Sequence, residues 1–585
     1  MISIPPALIL IAGAVLLPFL PRRIRSASFL VFPLLTFIWL LCLHSGDSLT
    51  IPFLTYNLMV TRVDLLSLCF GYVFVLVTFF GGVYAFHLKD TGQQVATLLY
   101  AGSSLGVVFA GDLLTLVCFW ELMAVTSVYL IWIRGTDLSR GAGMRYLIVH
   151  LVGGSALLAG VILTINETGS ILFNHMEGGT ATYLILFSFC LNAAVPPLHA
   201  WLSDAYPEAT VTGSVFLSAF TTKTAVYALA RGFAGWDVLI WAGVIMAIYG
   251  VIYAVLENDG RRLLSYCIIS QVGYMVCGVG IGTEAAISGV TAHAFAHVLY
   301  KALLFMGVGS VLYATGKSKL SDLGGLAKAM PLALGLYMIG AFSISGFPLF
   351  SGFVSKSLVI HAAALSGMSW VVLSLNLVAV GTFLYIGLKL PYFTWFAEKS
   401  TNLKPSKVPT GMYIGMGLTA LACFIIGVYP NVLYNILPYP VDYHPYSARH
   451  ISETMQLLLF TGLGFWAIVK MLVNKPVINL DFDWFYRRPV RLAYKVFVAA
   501  PARFFGYFEQ GAFKIVGQIK DIIKNPIGYV ARRMSYIGIE RHDKRTAAAD
   551  TRNYNPDKYR ISVEAMMLVI VISFIILISW SFLSS

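Results

Sequence analysis

Charge is scarce in this chain. Asp, Glu, Lys and Arg make up 11% of its 585 residues, against 58% hydrophobic residues. A soluble domain carries roughly 25% charged residues, so a water-soluble globular fold is excluded. Seven cysteines stand singly, at Cys42, Cys69, Cys118, Cys190, Cys267, Cys277 and Cys423, nearly all within apolar runs. With no CxxC or clustered spacing, neither an iron–sulfur cluster nor a disulfide framework is expected. No GxGxxG, Walker A or HExxH pattern stands in a credible context, so no cofactor or metal site is expected. Nucleic acid is not an expected partner.

What the chain has instead is apolar length. Runs of about 18 or more apolar residues recur from end to end, each enough to span a bilayer. They are too long and continuous for barrel strands, so the spans are helical. The expected class is an all-α polytopic membrane protein with about sixteen spans, near 3–20, 28–44, 63–86, 95–110, 112–133, 145–165, 181–201, 210–231, 236–256, 263–281, 285–313, 331–367, 370–395, 411–434, 452–473 and 562–582. The first, "ISIPPALILIAGAVLLPFL", has no basic residue before it and reads as a retained helix, not a cleaved signal.

The loops assign an orientation. Alternate loops carry Arg22, Arg23 and Arg25; Arg134, Arg140 and Arg145; Arg261 and Arg262; Lys317, Lys319 and Lys328; and Lys399, Lys404 and Lys407. Basic loops stay inside, which places both termini outside. The segment 474–560 interleaves basic and apolar residues at roughly helical spacing and holds most of the formal net charge of +13. It is expected to be a cytoplasmic amphipathic segment lying along the membrane, with Pro501 and Pro526 kinking or breaking it. A surface helix held by acidic lipids and a brace against neighbouring subunits are both open to it.

Ionisable groups inside spans are costly and are functional hypotheses by default. In "HAFAHVLYK", His293, His297 and Lys301 recur at i, i+4 and i+8, so they share one helical stripe about 12 Å long. A neutral imidazole donates and accepts a proton and titrates near neutrality, so the stripe suits a proton relay. Interhelical hydrogen bonding is the competing structural reading, and a metal site would need a third ligand. Glu121, about ten residues into its span, needs a partner or a proton. Lys223 lies mid-span, and a Glu–Lys pair would let each stabilise the other's charge. Lys356 follows an interrupted stretch, where snorkelling to the interface competes with a functional role. His150 is lone and reads as a packed core histidine.

Two spans are interrupted by proline in comparable places, "NAAVPPLHAWL" in the seventh and "SISGFPLFSGF" in the twelfth. Five spans apart, they suggest an inverted repeat with ion sites at the breaks. The expected organisation is 1–94 for helices one to three, 95–231 and 236–395 for the two five-helix repeats, 411–473 for helices fourteen and fifteen, 474–560 for the lateral segment and 562–582 for the last span. His199, Asp204 and Glu208 follow the first break, the latter two as expected loop residues.

The stretches "FWELMAVTSVYLI", "PPLHAWLSDAYPEATVTGSVFLSAFTTKTAVYALAR", "DGRRLLSYCIISQVGYM", "HAFAHVLYKALLFMGVGS" and "SISGFPLFSGFVSKS" together resemble the proton-conducting antiporter-like subunits of respiratory complex I, Mrp-type cation/proton antiporters and membrane-bound hydrogenases. The resemblance covers roughly 60–400. It implies fourteen core helices, two inverted five-helix repeats, broken helices seven and twelve, a half-channel glutamate at Glu121, a central axis at His293, His297 and Lys301, and lysines at Lys223 and Lys356. The family's usual seventh-helix lysine falls on Asn192, which is polar but carries no proton charge. Asn192, His199 and His150 are then candidate channel-lining residues. The usual Lys-Arg before the tenth helix is Arg261-Arg262. The lateral segment and extra span resemble the distal antiporter-like subunit of complex I and its hydrogenase counterparts.

The resulting expectation is a proton- or sodium-translocating subunit in a prokaryotic inner membrane. It would work with other membrane subunits and a possible soluble redox arm, since the chain has no redox site of its own. Competing readings are a secondary Na⁺/H⁺ antiporter subunit, a non-conducting scaffold kept open by Asn192, and a proton channel tied to bicarbonate uptake.

Overall fold

The structure is a computed structural model describing residues 4–398, 403–472, 481, 482, 484, 492, 494–526, 528–530, 533 and 565–573. It falls into two compact units, 1–483 and 484–585. The first opens with α1 (Pro6–Leu16) and α2 (Arg22–Leu41), then a hairpin of β1 (Ser48–Phe53) and β2 (Tyr56–Arg62). Next come α3 (Leu65–Tyr84), α4 (Thr91–Phe109), α5 (Leu113–Trp132) and α6 (Asp137–Thr168). The seventh span is split into α7 (Thr180–Asn192) and α8 (Ala200–Ala205), and the eighth into α9 (Gly213–Ala219) and α10 (Thr221–Gly232). Three long helices follow without interruption: α11 (Asp237–Leu256), α12 (Gly260–Ile281) and α13 (Glu284–Thr315). The twelfth span is split into α14 (Pro331–Ser345) and α15 (Ser351–Leu365). The unit closes with α16 (Ser369–Thr382), α17 (Thr410–Val428), α18 (Asn431–Tyr434) and α19 (Ala448–Ile468).

Among the described residues, ten helical segments are long and apolar enough to cross a membrane. Shorter apolar helices include α7, α14 and α15, all products of the breaks. Side-chain caps fix where many helices start. Asp64, Asp90, Asp112, Thr136 and Thr283 each accept from the backbone N–H three residues on, and Asp259 accepts from Arg261 and Arg262, satisfying donors that a helix start leaves open.

The hairpin departs from the all-α expectation. Ser48 pairs with Arg62 and Phe53 with Tyr56, around a two-residue turn in which Leu54 has φ +52°. The alternation in "SLTIPFLTYNLMVTR" fits period-two strands, in a stretch too polar to extend a span. A second departure is local. Phe383–Lys389 and Tyr392–Phe396, within the thirteenth span, wind as π-helix, a form frequent at functional sites.

The bundle is built around α12 and α13, which are buried nearly all round. Outer helices turn apolar side chains outward, such as Val31, Leu34, Leu35 and Ile38 of α2 and Leu459, Phe460, Leu463 and Trp466 of α19. This suits a lipid surrounding. Glycines bring α11 and α12 into backbone contact. A Cβ on Gly243 would lie 2.3 Å from Cys277 N, on Gly250 2.4 Å from Ser270 N, on Gly273 2.6 Å from Ala247 N and on Gly280 2.5 Å from Ile240 N. Small residues at such spacing let membrane helices approach closely.

In the second unit, α20 (Ala500–Lys524) follows a π-helical turn at Tyr494–Ala499. Pro501 sits in its first turn, where a missing N–H is tolerated. Phe504, Phe508, Ile515, Ile519 and Ile523 recur at helical spacing and are exposed. The rest of the expected lateral segment, and most of the expected span 562–582, lie outside the described residues.

Gly273→Val should destabilise the protein by about 2 kcal/mol or more, as overpacking does. Gly417→Ala, where a Cβ would meet nothing within 4 Å, should leave stability unchanged. Thermal unfolding of the two variants in detergent checks this; equal melting would refute the close contact.

Candidate functional site: a buried lysine–histidine row

Lys223, His293, His297, Lys301 and Lys356 are all inside the bundle, none more than 4% exposed. Two of the lysines use what a helix break releases. Phe220 interrupts the eighth span with ψ −71°, and Lys223 follows it in the first turn of α10. Its Nζ donates to the Ser218 carbonyl at 2.7 Å. Lys356, on α15, donates across the twelfth-span break to the Ile344 carbonyl at the end of α14, also at 2.7 Å. Carbonyls at a helix C-terminus lack intrahelical partners and carry the negative end of the helix dipole, so they suit an ammonium. A third buried lysine, Lys389 on the π-helical stretch, donates to Val255 O at 2.6 Å and Glu257 O at 2.8 Å, at the end of α11.

Between Lys223 and Lys356 runs the stripe of α13. The His293 and His297 ring centroids are 6.1 Å apart. Tyr274 of α12 packs 5.7 Å from His293, and its ring faces the Lys356 ammonium at 5.4 Å. Tyr300 lies 5.3 Å from His297, and Lys301 Nζ lies 6.0 Å over the Phe305 ring. Beside Lys301 is the Cys267 thiol, and the Lys301 and Lys223 charges repel one another.

The competing structural reading requires these groups to bond across helices. They do not. Both ring nitrogens of His293, both of His297 and Lys301 Nζ are buried without a well-formed hydrogen bond to nitrogen or oxygen among the described residues; His293 lies near the Gln271 backbone and Lys301 near the Cys267 thiol. Leaving such a group unsatisfied costs roughly 1–3 kcal/mol each. Unbonded groups of this kind do not hold neighbouring helices together by hydrogen bonds.

Glu121 lies on α5, partly exposed at the edge of the bundle. Its carboxylate rests on Gly154 of α6, where an added Cβ would fall 1.4 Å from Oε1. Among the described residues no ion pair joins Glu121 to Lys223, so the pairing expected from the sequence is not made directly. The Ser218 carbonyl takes the place of the carboxylate.

At the first break, Asn192 ends α7 and its Oδ1 lies 2.9 Å from His150 Nδ1. Since that oxygen only accepts, Nδ1 carries the proton. His150 is therefore not the lone core histidine expected from sequence; it is the partner of the residue standing where a lysine was expected. Tyr146 and Trp201 sandwich it, with centroids at 4.1 and 4.5 Å. Trp201 also donates to the Leu191 carbonyl at 3.0 Å, which accepts the Ala194 N–H as well at 3.0 Å. His199, at the start of α8, is buried against Asp481. Asp204 is not a loop residue: it lies on α8 and takes a bidentate bond from Arg145 at 2.6 and 3.0 Å. Glu208 pairs with Arg134 at 2.9 Å. Arg261 is buried and donates to the carbonyls of Tyr206, Ala209 and Thr210, holding the link between α8 and α9.

Sequence reasoning missed a cavity of about 750 Å³ beside Lys356, lined also by His361, Asn376, His450 and Glu453. Only the fold brings α15, α16 and α19 together there. Lys389 was missed as well; it lies toward the end of its expected span, 370–395.

Residues 110–383 match the transmembrane region that defines the NADH:quinone oxidoreductase/Mrp antiporter family. The chain is 31% identical over 321 residues to a Na(+)/H(+) antiporter subunit of Alkalihalophilus pseudofirmus, covering 51% of this chain and 64% of that protein; it thus spans less than two thirds of that relative's length. Its fold resembles a chain of the Mrp complex from Dietzia sp. DQ12-45-1b, with a TM-score of 0.66, 22% identity and coverage of 78% of this chain and 98% of that one. A chain of the membrane-bound sulfane sulfur reductase, an archaeal respiratory membrane complex, matches with the same TM-score, 24% identity and the same coverage. The broken helices, Lys223, Lys356 and the α13 stripe all lie inside the matched region, and there the chain is similar to the NADH:quinone oxidoreductase/Mrp antiporter family of membrane subunits.

Proposed function

We propose that this chain is an ion-translocating antiporter-like subunit of a multi-subunit prokaryotic membrane complex, moving protons along the row from Lys223 to Lys356. One observation carries the reading: a central set of unpartnered buried histidines and lysine, bounded on each side by a lysine seated on a helix-break carbonyl. Each end lysine has a defined place for its charge, and each central group is free to exchange. A proton arriving at Lys223 repels charge at Lys301 and drives it along His297 and His293 toward Lys356. Lys356 opens onto the cavity that His361, His450 and Glu453 line, which serves as the outlet. Glu121, at the bundle edge, passes charge to or from a neighbouring subunit, and Asn192–His150 replaces the usual seventh-helix lysine with a neutral hydrogen-bonded pair.

The basic loops support an orientation with both termini outside and 474–560 on the cytoplasmic side. The two broken segments support a pair of inverted five-helix repeats at 95–231 and 236–395, within about sixteen spans. The exposed apolar stripe of α20 between Arg503, Lys514 and Lys520 supports a lateral amphipathic helix. Driving force comes from partner subunits. A second reading, a Na⁺/H⁺ antiporter driven by an ion gradient, is favoured by the similarity to the Alkalihalophilus antiporter protein. The subunits that co-purify with the chain decide between the two: redox subunits support the first reading, a set of Mrp-like proteins the second.

Lys301→Ala is expected to abolish proton translocation, measured as dye quenching in inverted membrane vesicles containing the assembled complex. Wild-type pumping by that variant would end the relay proposal. Gly154→Ala should displace the Glu121 carboxylate and lower translocation about tenfold, equivalent to about 1.4 kcal/mol, and Glu121→Gln should do the same. A Gly154→Ala rate equal to wild type would show that the carboxylate's seat is immaterial.

A further inference from the structure

A carboxylate from beyond α19 is buried at the break of the seventh helix. Asp481 Oδ1 lies 3.1 Å from His199 Nε2, and both side chains are fully shielded. Tyr249 of α11 donates its hydroxyl to Oδ1, and Tyr266 of α12 donates to Oδ2. The Phe482 N–H donates to Oδ1 at 2.6 Å, and the Ser203 hydroxyl lies 3.5 Å from Oδ2. An ionised carboxylate only accepts, and here every neighbour is a donor. Burial alone would favour the protonated acid, yet the hydrogen bonds from His199, Tyr249 and Tyr266 hold Asp481 below the usual carboxylate range.

That arrangement decides the state of His199. Its Nε2 must carry a hydrogen to donate to Asp481, which leaves Nδ1 as the free acceptor. Nδ1 is buried and has no partner among the described residues. The ring is held edge-on by Tyr249 at 4.6 Å and Phe482 at 5.8 Å. Other titratable groups on the packed elements include Tyr253 of α11, Arg262 (paired with Glu257) and Arg261 of α12, Tyr146 and His150 of α6, which pack on Trp201, and, on α8 itself, Asp204, which Arg145 of α6 neutralises. No second carboxylate approaches His199 among the described residues; Asp481 is the counter-charge.

We propose that His199 and Asp481 form the proton-loading site at the end of the first half that bears the basic loops. His199 Nδ1 takes up the proton, the Asp481 carboxylate balances the imidazolium, and the proton leaves from the same nitrogen toward the row. This rests on the translocation reading above. Asp481 is a positioning residue, and it makes loading depend on the segment that follows α19. The His–carboxylate pair supplies, near the first break, the titratable group that Asn192 cannot.

The test uses the assembled complex in inverted vesicles, with proton uptake followed between about pH 6 and 9. Asp481→Asn should pump near normally at the acid end and about tenfold slower near pH 8, because the imidazolium has lost its counter-charge. Asp481→Glu should restore the alkaline limb, and His199→Gln should be slow at every pH. Blotting for assembled complex normalises each rate. A purely structural tether would instead lower the amount of complex and leave the normalised pH profile unchanged for Asp481→Asn; that result overturns the proposal. So does a wild-type profile for His199→Gln. Lys301→Ala in the same vesicles separates the two levels: if it stops pumping while the His199 and Asp481 variants are normal, only the loading site is wrong.

Discussion

An ammonium group inside an apolar bundle needs an opposing dipole or charge, and this fold supplies it by breaking helices. An unbroken helix has no free carbonyl to offer, since each is bonded to the N–H four residues on. Breaking the eighth span at Phe220 gives Lys223 the Ser218 carbonyl, and breaking the twelfth gives Lys356 that of Ile344. The break itself then has to be supported. Tyr100 takes the freed Thr221 N–H, Trp201 donates to Leu191 O, and Arg261 gathers three carbonyls of the 206–210 link. Much of the buried polar chemistry in the first unit is explained by this one requirement.

The row between the lysines follows a different rule. His293, His297 and Lys301 sit on an uninterrupted helix and so find no freed carbonyl. On neighbouring helices they find only weak company among the described residues: the Cys267 thiol beside Lys301 and the Gln271 backbone near His293. Lys223 and Lys356 at the ends are bonded to carbonyls, and the groups between them are not. A bundle held only by packing would not retain so many unsatisfied groups, because apolar substitutes would be more stable.

The apolar runs made the helical membrane class legible, since only helices and closed barrels satisfy the backbone in lipid. Pro-containing interruptions made two of the breaks legible. The break at Phe220 was not, because "SAFTTKTAV" contains neither proline nor glycine; it is imposed by packing around Tyr100 and Thr221. The hairpin at 48–62 was passed over because its alternation is short and lies between strong apolar signals. Lys223, His293, His297, Lys301 and Lys356 stood out because ionisable residues are conspicuous in oily sequence. His150–Asn192 and His199–Asp481 did not, since their partners are 42 and 282 residues apart.

The sequence by itself determined that the chain lives in a membrane, which long segments are helical, and that Lys223, His293, His297, Lys301 and Lys356 fall within them. These follow from composition and periodicity, which are local. Only the tertiary structure decided what each buried group rests on: a freed carbonyl for Lys223 and Lys356, a thiol beside Lys301, no carboxylate or freed carbonyl for the α13 histidines, and Asp481 for His199. A counter-charge acts through space over a few ångströms, and separation along the chain says nothing about that distance.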